Sequence, residues 1–352
     1  MKQPVITTVI PTYRRPQFLK RAVESVLAQT YPHFRVCVYD NCSQDETRTV
    51  VRDLMGKDSR VQYHCHEKNI GAVANFHYAL ERISSDYFTI LSDDDWLLPA
   101  FFENALRLVD QYPEASFAAL SCRIERDGRV VRFPLINQRI KGFHMPPKGF
   151  LLMLNNWAVL TWTSILFQRG VLDEIGYPLQ EPCMPNDLEF LLRIAAHNAV
   201  VISDIEGAVF TDHPDSASSK SDLHWIWPCY LHVIEYVMKT YKLDTQSLRE
   251  AKGLLYTRFQ KRLAYCVISS LHQKNWAQAE KALLVFSQYD QRKSFCILKT
   301  LMRLTQQSPR LVHPLLTRFI QNKHTVVYLL DWVRSRAHSN HSKGTGHPGL
   351  PR

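Results

Sequence analysis

The chain has 352 residues, of which 45% are hydrophobic and 22% are charged. These proportions are ordinary for a globular protein, and they exclude a collagen-like or wholly disordered chain. No stretch reaches the roughly 18 uncharged apolar residues that a membrane-spanning helix needs, and residues 1–10 lack the apolar core of a signal peptide. We therefore expect a cytoplasmic protein built from one large domain and an extension.

Charge is unevenly distributed along the chain. Residues 1–212 contain 22 Lys/Arg and 25 Asp/Glu, whereas residues 213–352 contain 21 Lys/Arg and 8 Asp/Glu. The basic part could meet an anionic membrane surface, a phosphate-bearing acceptor or nucleic acid, or it could be a well-solvated helical surface. The eight cysteines include no CxxC pair, which argues against a zinc cluster and predicts reduced thiols.

Strands and helices alternate over the first 110 residues. Short apolar runs predict strands at Val5–Ile10, Phe34–Tyr39, Val61–Cys65 and Tyr87–Leu91. Helical spacing of apolar residues follows Pro16, a capping-box spacing of Ser43 and Glu46 opens a second helix, and Ala72–Ile83 predicts a third. This alternation predicts a mostly parallel sheet that binds its ligand beyond the carboxyl ends of the strands.

The pattern changes after residue 112. Asp127-Gly128 is a hairpin signal between strands predicted near Ser116–Glu125 and Val130–Phe133. A helix is predicted at Asp187–His197, and further strands at Thr161–Phe167, Val200–Val201 and Ala208–Phe210. Beyond residue 222 the pattern is almost wholly helical, and the Ser-, Gly-, His- and Pro-rich residues 338–352 predict a disordered tail.

The strongest chemical signal is the run Ser92-Asp93-Asp94-Asp95, which follows the fourth predicted strand. Adjacent carboxylates repel one another, and a divalent cation is the simplest compensation. Mg²⁺ or Mn²⁺ held by one or two carboxylates, with a diphosphate completing its shell, suits this arrangement. The alternative is a solvated acidic turn that caps the following helix.

Polar loops follow the other predicted strands. Pro11-Thr12-Tyr13-Arg14-Arg15 supplies a hydroxyl, an aromatic ring that could stack on a base and arginines that could pair with phosphate, without a glycine-rich phosphate loop. Asp40-Asn41 and Asn69 carry side chains that suit a base edge or ribose hydroxyls. Helix capping and ordinary surface placement are the alternatives for these loops.

Two later residues could also carry chemistry. Asp187, at the start of a predicted helix, could accept a proton from an attacking hydroxyl, or it could simply cap that helix. His213 could complete a metal shell or bind a diphosphate, or it could be an ordinary surface histidine.

The order of these segments resembles that of the family 2 glycosyltransferases over about residues 4–220. The similar segments are VIPTYRRP at 9–16, YDNCSQDET at 39–47, NIG at 69–71, LSDDDWLLP at 91–99, SILFQRGVLDEIG at 164–176 and NDLEFLLR at 186–193. Three residues depart from the family pattern: Ser92 where an aspartate is commonest, Asn186 where a glutamate often precedes the base, and Cys42 where a small glycine is common.

The resemblance implies an α/β GT-A fold, a Rossmann-like αβα sandwich with a mostly parallel sheet and a helical C-terminal extension. The catalytic domain is expected at residues 1–222, with a nucleotide-sugar half at about 1–112 and an acceptor half at about 113–222. A basic helical region is expected at residues 223–337.

The resemblance also implies roles for individual residues. Asp187 matches the catalytic base, and Asp94 matches the metal-binding position, with Asp95 and His213 as further candidate ligands of Mg²⁺ or Mn²⁺. The residues expected to bind the nucleotide sugar are Pro11, Thr12, Tyr13, Arg15, Asp40, Asn69, Asp93 and Asp94.

The implied reaction is the inverting transfer of a sugar from a nucleotide-sugar donor to a hydroxyl of a glycan or lipid-linked acceptor. UDP is the expected nucleotide, and surface polysaccharide assembly is the expected role. The basic C-terminal helices would contact anionic lipid at the inner face of the membrane, and no nucleic-acid partner is expected. The alternatives are a nucleotidyltransferase acting on a sugar phosphate, which usually carries a glycine-rich loop, and a basic module that binds nucleic acid without catalysis.

Overall fold

The computed structural model describes residues 4–126, 128–131, 140–156, 162–179, 186–213, 223–240, 244–289 and 293–321. The chain divides into one unit at residues 1–251 and a second at residues 252–352. The predicted domain boundary at residue 222 stays a prediction, and the predicted disordered tail at 338–352 lies outside the described residues.

The first unit contains all the described strands and most of the described helices. Its strands are β1 (Ile6–Thr12), β2 (Phe34–Asp40), β3 (Val61–Cys65), β4 (Tyr87–Ile90), β5 (Trp96–Leu97), β6 (Ala115–Arg126), β7 (Arg129–Val131), β8 (Gly142–His144), β9 (Ile165–Gln168) and β10 (Ala199–Asp212). Its helices are α1 (Pro16–Leu27), α2 (Thr47–Lys57), α3 (Ala72–Leu80), α4 (Phe101–Gln111), α5 (Lys148–Asn156), a 3₁₀ turn (Trp162–Ser164), α6 (Gly170–Glu174), α7 (Asn186–His197) and α8 (Leu223–Thr240).

The second unit is helical throughout its described residues. Helix α9 (Thr245–His272) crosses the division between the units, and α10 (Trp276–Tyr289), α11 (Lys293–Gln307) and α12 (Pro309–Gln321) follow it. The prediction of helices after residue 222 is therefore confirmed where the chain is described. No helix within the described ranges is long and apolar enough to cross a membrane.

The strands form one mixed sheet in the order β3-β2-β1-β4-β9-β6-β10-β5, with β7 beside β6 and β8 beside β10. Parallel pairing joins β1 to both β2 and β4, β2 to β3, and β6 to β10, while β9 runs antiparallel between β4 and β6. Most of the described strands therefore run in one direction, which confirms the predicted α/β class with a mostly parallel sheet.

Apolar periodicity explains how α1 packs on the parallel strands. Its buried face of Leu19, Ala22, Val23 and Val26 belongs to the same core cluster as apolar residues of β1 and β2. Burial of this face stabilises the layer by roughly 25 cal/mol for each Å² of apolar surface removed from water. Because Thr12 of β1 pairs with Asp40 of β2, and Asp40 with Cys65 of β3, the polar loops that follow these strands begin at one edge of the sheet.

The second helix begins at Thr47, so the predicted capping box at Ser43 is wrong. The Ser43 hydroxyl instead donates to Asp40 Oδ1 at 2.6 Å and accepts the Arg14 N–H at 2.8 Å. Asp45 Oδ1 accepts the N–H of Thr47 at 2.9 Å. Ser43 therefore joins the loops after β1 and β2, and Asp45 binds the first N–H of the second helix.

The two short closing strands predicted near residues 200 and 208 are parts of the single strand β10, whose register against β6 shifts between Ile202 and Ala208. Gly207 lies in this irregular stretch. A Cβ at this position would lie 2.7 Å from the Phe101 ring and 2.9 Å from Leu120 Cβ. Glycine thus lets β10 pass close to α4 and β6 and carry its far end to the candidate site.

Candidate functional site

The loops after β1 and β4 meet in a buried acidic cluster. Thr12 Oγ1 donates to Asp93 Oδ2 at 2.8 Å. One nitrogen of Arg15, Nη1, lies 3.1 Å from Asp93 Oδ1 and 2.8 Å from Asp94 Oδ2. Burial raises the pKa of Asp93 to about 6, and the positive charge of Arg15 opposes this rise. The structure thus brings together four of the residues that the sequence singles out.

His213 directly follows the C-terminal end of β10 and lies in the same cluster. Its Nε2 lies 3.1 Å from Asp94 Oδ2, and its ring packs against Phe18 at a centroid distance of 4.9 Å. The carbonyl of Asp94 accepts hydrogen bonds from Arg21 Nη2 at 2.7 Å and from the Thr211 hydroxyl at 2.5 Å. Sequence reasoning missed Arg21 and Thr211, because their roles depend on β10 returning to the loop after β4.

Asp94 and His213 carry donor atoms that suit a divalent cation, but both are engaged in the structure. Asp94 Oδ2 lies 3.1 Å from His213 Nε2 in a hydrogen bond and 2.8 Å from Arg15 Nη1. Within the described part of the chain, no group of three or more His, Cys, Asp and Glu residues is arranged to hold a metal ion. A cation at this position would take Asp94 and His213 from the protein and its other ligands from phosphate and water; carboxylate and phosphate oxygens are the ligands that suit Mg²⁺ and Mn²⁺.

Asp95 has a different environment from its two neighbours. It is 1% exposed, its Oδ2 accepts the Thr163 hydroxyl at 2.7 Å, and its Oδ1 accepts the Thr211 N–H at 2.8 Å. Burial, with a further contribution from the charge of Asp94, raises the pKa of Asp95 to about 8. This geometry favours a structural role that joins the 3₁₀ turn and β10 to the loop; its predicted metal binding stays a prediction.

Asp40 lies at the end of β2 as the acceptor in a small buried network. Its Oδ1 accepts the N–H of Ser43 at 2.9 Å as well as the Ser43 hydroxyl, and its Oδ2 accepts the Tyr63 hydroxyl at 2.5 Å. Burial, and then the hydrogen bond to Asp40, raises the pKa of Tyr63. The sequence did not identify Tyr63, since a tyrosine within a predicted strand carries no signal of its partner.

Asn69 shapes the loop after β3. Its Oδ1 accepts hydrogen bonds from Asn41 Nδ2 and from the Gly71 N–H, both at 2.9 Å, and Asn41 Oδ1 accepts the Ile70 N–H at 2.8 Å. Gly71 has a φ of +88°, which glycine adopts readily. The two asparagines thus hold the loops after β2 and β3 together.

The loop after β1 leaves one aromatic ring accessible. Tyr13 is 37% exposed, with the Arg14 guanidinium 5.0 Å from its ring centroid. Pro11 lies within β1 and pairs with Tyr39 of β2. The exposed ring of Tyr13 suits the predicted stacking on a nucleotide base, which stays a prediction.

Asp187 lies in the first turn of α7, where it lines a cavity of about 240 Å³. Its Oδ1 accepts the N–H of Leu188 at 2.8 Å. Burial raises the pKa of Asp187 above its usual range in spite of this hydrogen bond. A carboxylate with a raised pKa is a stronger base at neutral pH.

A buried ion pair supports the wall of this cavity. Glu189 and Arg193 lie one turn apart on α7, with Arg193 Nε 2.5 Å from Glu189 Oε1. The Arg193 guanidinium also donates to the carbonyls of Ile175 and Tyr177, and Glu189 Oε2 accepts the Leu179 N–H. Sequence reasoning placed Glu189 and Arg193 on a helix but did not see that they fix residues 175–179 beside Asp187.

Comparison with known proteins identifies the first part of the chain. Residues 7–176 match the family described as Glycosyl transferase family 2. One curated relative is the GalNAc(5)-diNAcBac-PP-undecaprenol beta-1,3-glucosyltransferase of Campylobacter jejuni, 29% identical over 130 residues, which are 36% of this chain and 41% of that protein. Another is the putative teichuronic acid biosynthesis glycosyltransferase TuaG of Bacillus subtilis, 34% identical over 27% of this chain and 38% of that protein. The matched segments thus span about two fifths of these two relatives.

Solved structures share the fold over most of the chain. S. aureus TarS 1–349 in complex with UDP-GlcNAc has a TM-score of 0.58 at 15% identity and covers 90% of this chain and 92% of that one. The mannosyltransferase PcManGT from Pyrobaculum calidifontis, in complex with GDP-Man and Mn²⁺, has a TM-score of 0.53 at 16% identity and covers 93% of this chain and 88% of that one. This likeness confirms the predicted GT-A type of fold. Residues 7–176 are the part of the chain that matches the family 2 glycosyltransferases.

Proposed function

We propose that the protein is an inverting glycosyltransferase that moves a sugar from a nucleotide sugar, with UDP the expected nucleotide, to a hydroxyl of a glycan or lipid-linked acceptor. The observation that carries the proposal is the buried cluster of Thr12, Arg15, Asp93, Asp94 and His213, whose residues come from three separate segments of the chain. The family match favours this activity over the nucleotidyltransferase and nucleic-acid-binding alternatives. The activities for which the bacterial relatives are named support a role in surface polysaccharide assembly.

The donor would bind across the ends of β1, β2 and β4. Tyr13 would stack on the base, while the networks that fix Asp40 and Asn69 would present a preformed edge to the base and ribose. Thr12 and Arg15 hold the carboxylates of Asp93 and Asp94 in place. Asp94 and His213 would hold Mg²⁺ or Mn²⁺, which when bound neutralises negative charge on the leaving diphosphate.

Asp187 would act as the general base. Its carboxylate takes the proton of the acceptor hydroxyl while the hydroxyl oxygen attacks the anomeric carbon on the face opposite the diphosphate. The bond from that carbon to the diphosphate oxygen breaks, and its electron pair leaves with the nucleoside diphosphate. A single displacement of this kind inverts the anomeric configuration, and general-base assistance contributes about 10²–10⁴ in rate.

A panel of UDP-, GDP- and dTDP-sugars with Mn²⁺ tests the proposal. One donor should release its nucleoside diphosphate, and the same nucleotide should stabilise the protein by about 2.7 kcal/mol at 100 times its dissociation constant. The Asp187→Asn variant should lose turnover but keep nucleotide binding, whereas Asp53→Asn, at an exposed position on α2, should keep both. Pyrophosphate release from a nucleoside triphosphate, or normal turnover by Asp187→Asn, would contradict the assignment.

We further propose that the second unit contacts an anionic membrane surface. Residues 252–321 contain 12 Lys/Arg and 2 Asp/Glu. Leu304 and Leu311 are exposed there, next in sequence to the exposed Arg303 and Arg310. Each basic residue near an anionic bilayer contributes about 1 kcal/mol, and exposed leucines can add apolar insertion.

A further inference from the structure

We propose that the cavity beside Asp187 binds one pyranose ring of the acceptor, and that the Phe76–Trp162 pair is the platform on which the ring stacks. This inference rests on the proposed transferase function. Phe76 projects from α3 and Trp162 from the 3₁₀ turn, and both line the cavity with Asp187. Their rings are stacked, with centroids 4.6 Å apart and planes inclined by 24°.

The lining of the cavity is mainly apolar, and two of its residues bring polar groups. Phe76 and Trp162 form an aromatic surface next to Val73, and Asn186 and Asp187 bring polar groups to the same space. A pyranose has a face of C–H groups and a rim of hydroxyls. The electron-rich face of an aromatic ring attracts such C–H groups, while carboxylate and amide groups can bind the hydroxyls.

The same lining disfavours a phosphate. No lysine or arginine lines the cavity among the residues that the structure describes there. The lining His77 is paired through Nδ1 with Glu81 Oε1 at 3.2 Å, and its ring packs against Tyr177 at 4.8 Å. A dianion placed beside Asp187 would therefore meet a carboxylate without a cation to balance it.

The size of the cavity also limits its occupant. Sites for drug-sized ligands usually measure about 300–1,000 Å³, so a cavity of about 240 Å³ suits a single ring better than a long lipid chain. A wholly apolar occupant would make no use of Asp187 Oδ2, the carboxylate oxygen that does not accept the Leu188 N–H. Shape and polarity thus point to the same ligand class.

The position of the cavity assigns it to the acceptor and not to the donor. Asp187 belongs to its lining, whereas Arg15, Asp93, Asp94 and His213 do not appear in that lining. The base must touch the attacking hydroxyl, and the diphosphate belongs with the cluster at Asp94. Arg193 and Glu189 hold the adjoining wall, so the ring would enter a preformed space.

The test uses saturation-transfer NMR with the full chain, UDP and Mg²⁺, because Mn²⁺ is paramagnetic and would broaden the ligand signals. The probes are methyl glycosides of glucose, galactose, N-acetylglucosamine and rhamnose, with glycerol 3-phosphate and decanol as probes without a sugar ring. At least one glycoside should receive saturation at its ring C–H protons, in preference to both other probes. Trp162→Leu and Phe76→Leu should weaken its binding by about fivefold, and Trp162→Phe should retain most of it.

A second stacked pair supplies the matched control. Tyr112 and Phe143 stack at 5.2 Å with planes inclined by 9°, away from the cavity lining, so Phe143→Leu should leave glycoside binding unchanged. Equal loss in Phe143→Leu and Trp162→Leu, or no preference for pyranosides, would overturn the inference. Nucleotide stabilisation is measured on the same samples. If UDP binds and pyranosides do not, only this inference fails, whereas the failure of every nucleotide to bind would count against the transferase function itself.

Discussion

Replacing Arg193 by methionine should destabilise the first unit severely, because it leaves Glu189 as an unpaired buried charge. Glu189 is fully buried and Arg193 is 4% exposed, and the pair is 2.5 Å apart. Breaking such a pair costs about 3–5 kcal/mol. The lost guanidinium also leaves the carbonyls of Ile175 and Tyr177 without its hydrogen bonds. Since domains unfold at a cost of about 5–15 kcal/mol, this loss is a large fraction of the total.

Urea unfolding followed by circular dichroism measures the effect. The control is Lys20→Met, because Lys20 and Glu24 have the same i,i+4 spacing on α1 but are about half exposed and 4.0 Å apart; the expected loss is below about 0.5 kcal/mol. Adding Glu189→Gln to Arg193→Met should recover part of the stability, since both charges are then gone. A cost for Arg193→Met no larger than that for Lys20→Met would refute the reasoning.

Three further outcomes are expected. Turnover should fall as the pH decreases, because Asp187 becomes protonated. The fall should come at a pH above the ordinary carboxyl range, since burial raises the pKa of Asp187. A slow but active Asp187→Asn variant with an unchanged pH–rate profile would contradict this. In a thermal-shift assay, Asp94→Asn should abolish the Mn²⁺-dependent part of nucleotide stabilisation. Asp95→Asn should keep it, because the amide oxygen can still accept a hydrogen bond from the Thr211 N–H. The reverse result would reassign the metal ligand from Asp94 to Asp95. Leu311→Glu should reduce retention on vesicles containing anionic lipid by about tenfold at low salt. Equal retention of the unchanged protein by neutral vesicles would exclude a contact that depends on anionic lipid.

Local patterns were sufficient to predict the parallel half of the sheet. The apolar runs of β1 to β4 and the helical spacing in α1 are local, and their buried faces form one core. The polar loops after these strands could be predicted to meet because parallel strands place their carboxyl ends on one edge. Thr12 contacts Asp93, and Arg15 contacts Asp94, as this rule requires.

Partners that are distant in the sequence could not be predicted in the same way. Tyr63 binds Asp40, Arg21 binds the Asp94 carbonyl, and Trp162 stacks on Phe76. Each of these contacts depends on how strands and loops pack in three dimensions, and the sequence around one residue of a pair does not indicate its partner. The capping box failed for a related reason, because the Ser43 oxygen accepts the N–H of Arg14 instead of a helix N–H, while its hydroxyl donates to Asp40.

The sequence correctly predicted where the acidic cluster lies, but not how its negative charges are balanced. Three consecutive carboxylates suggested that a cation must balance them, but the protein already provides a balance. Arg15 pairs with Asp93 and Asp94, His213 adds a second partner for Asp94, and burial raises the pKa of both Asp93 and Asp95. We therefore expect these partners to hold the loop in place without a metal, and chelation should leave the melting temperature of the free protein unchanged. A divalent cation would instead have to compete with Arg15 for Asp94, and the diphosphate of the donor supplies the additional ligands that favour the cation in that competition.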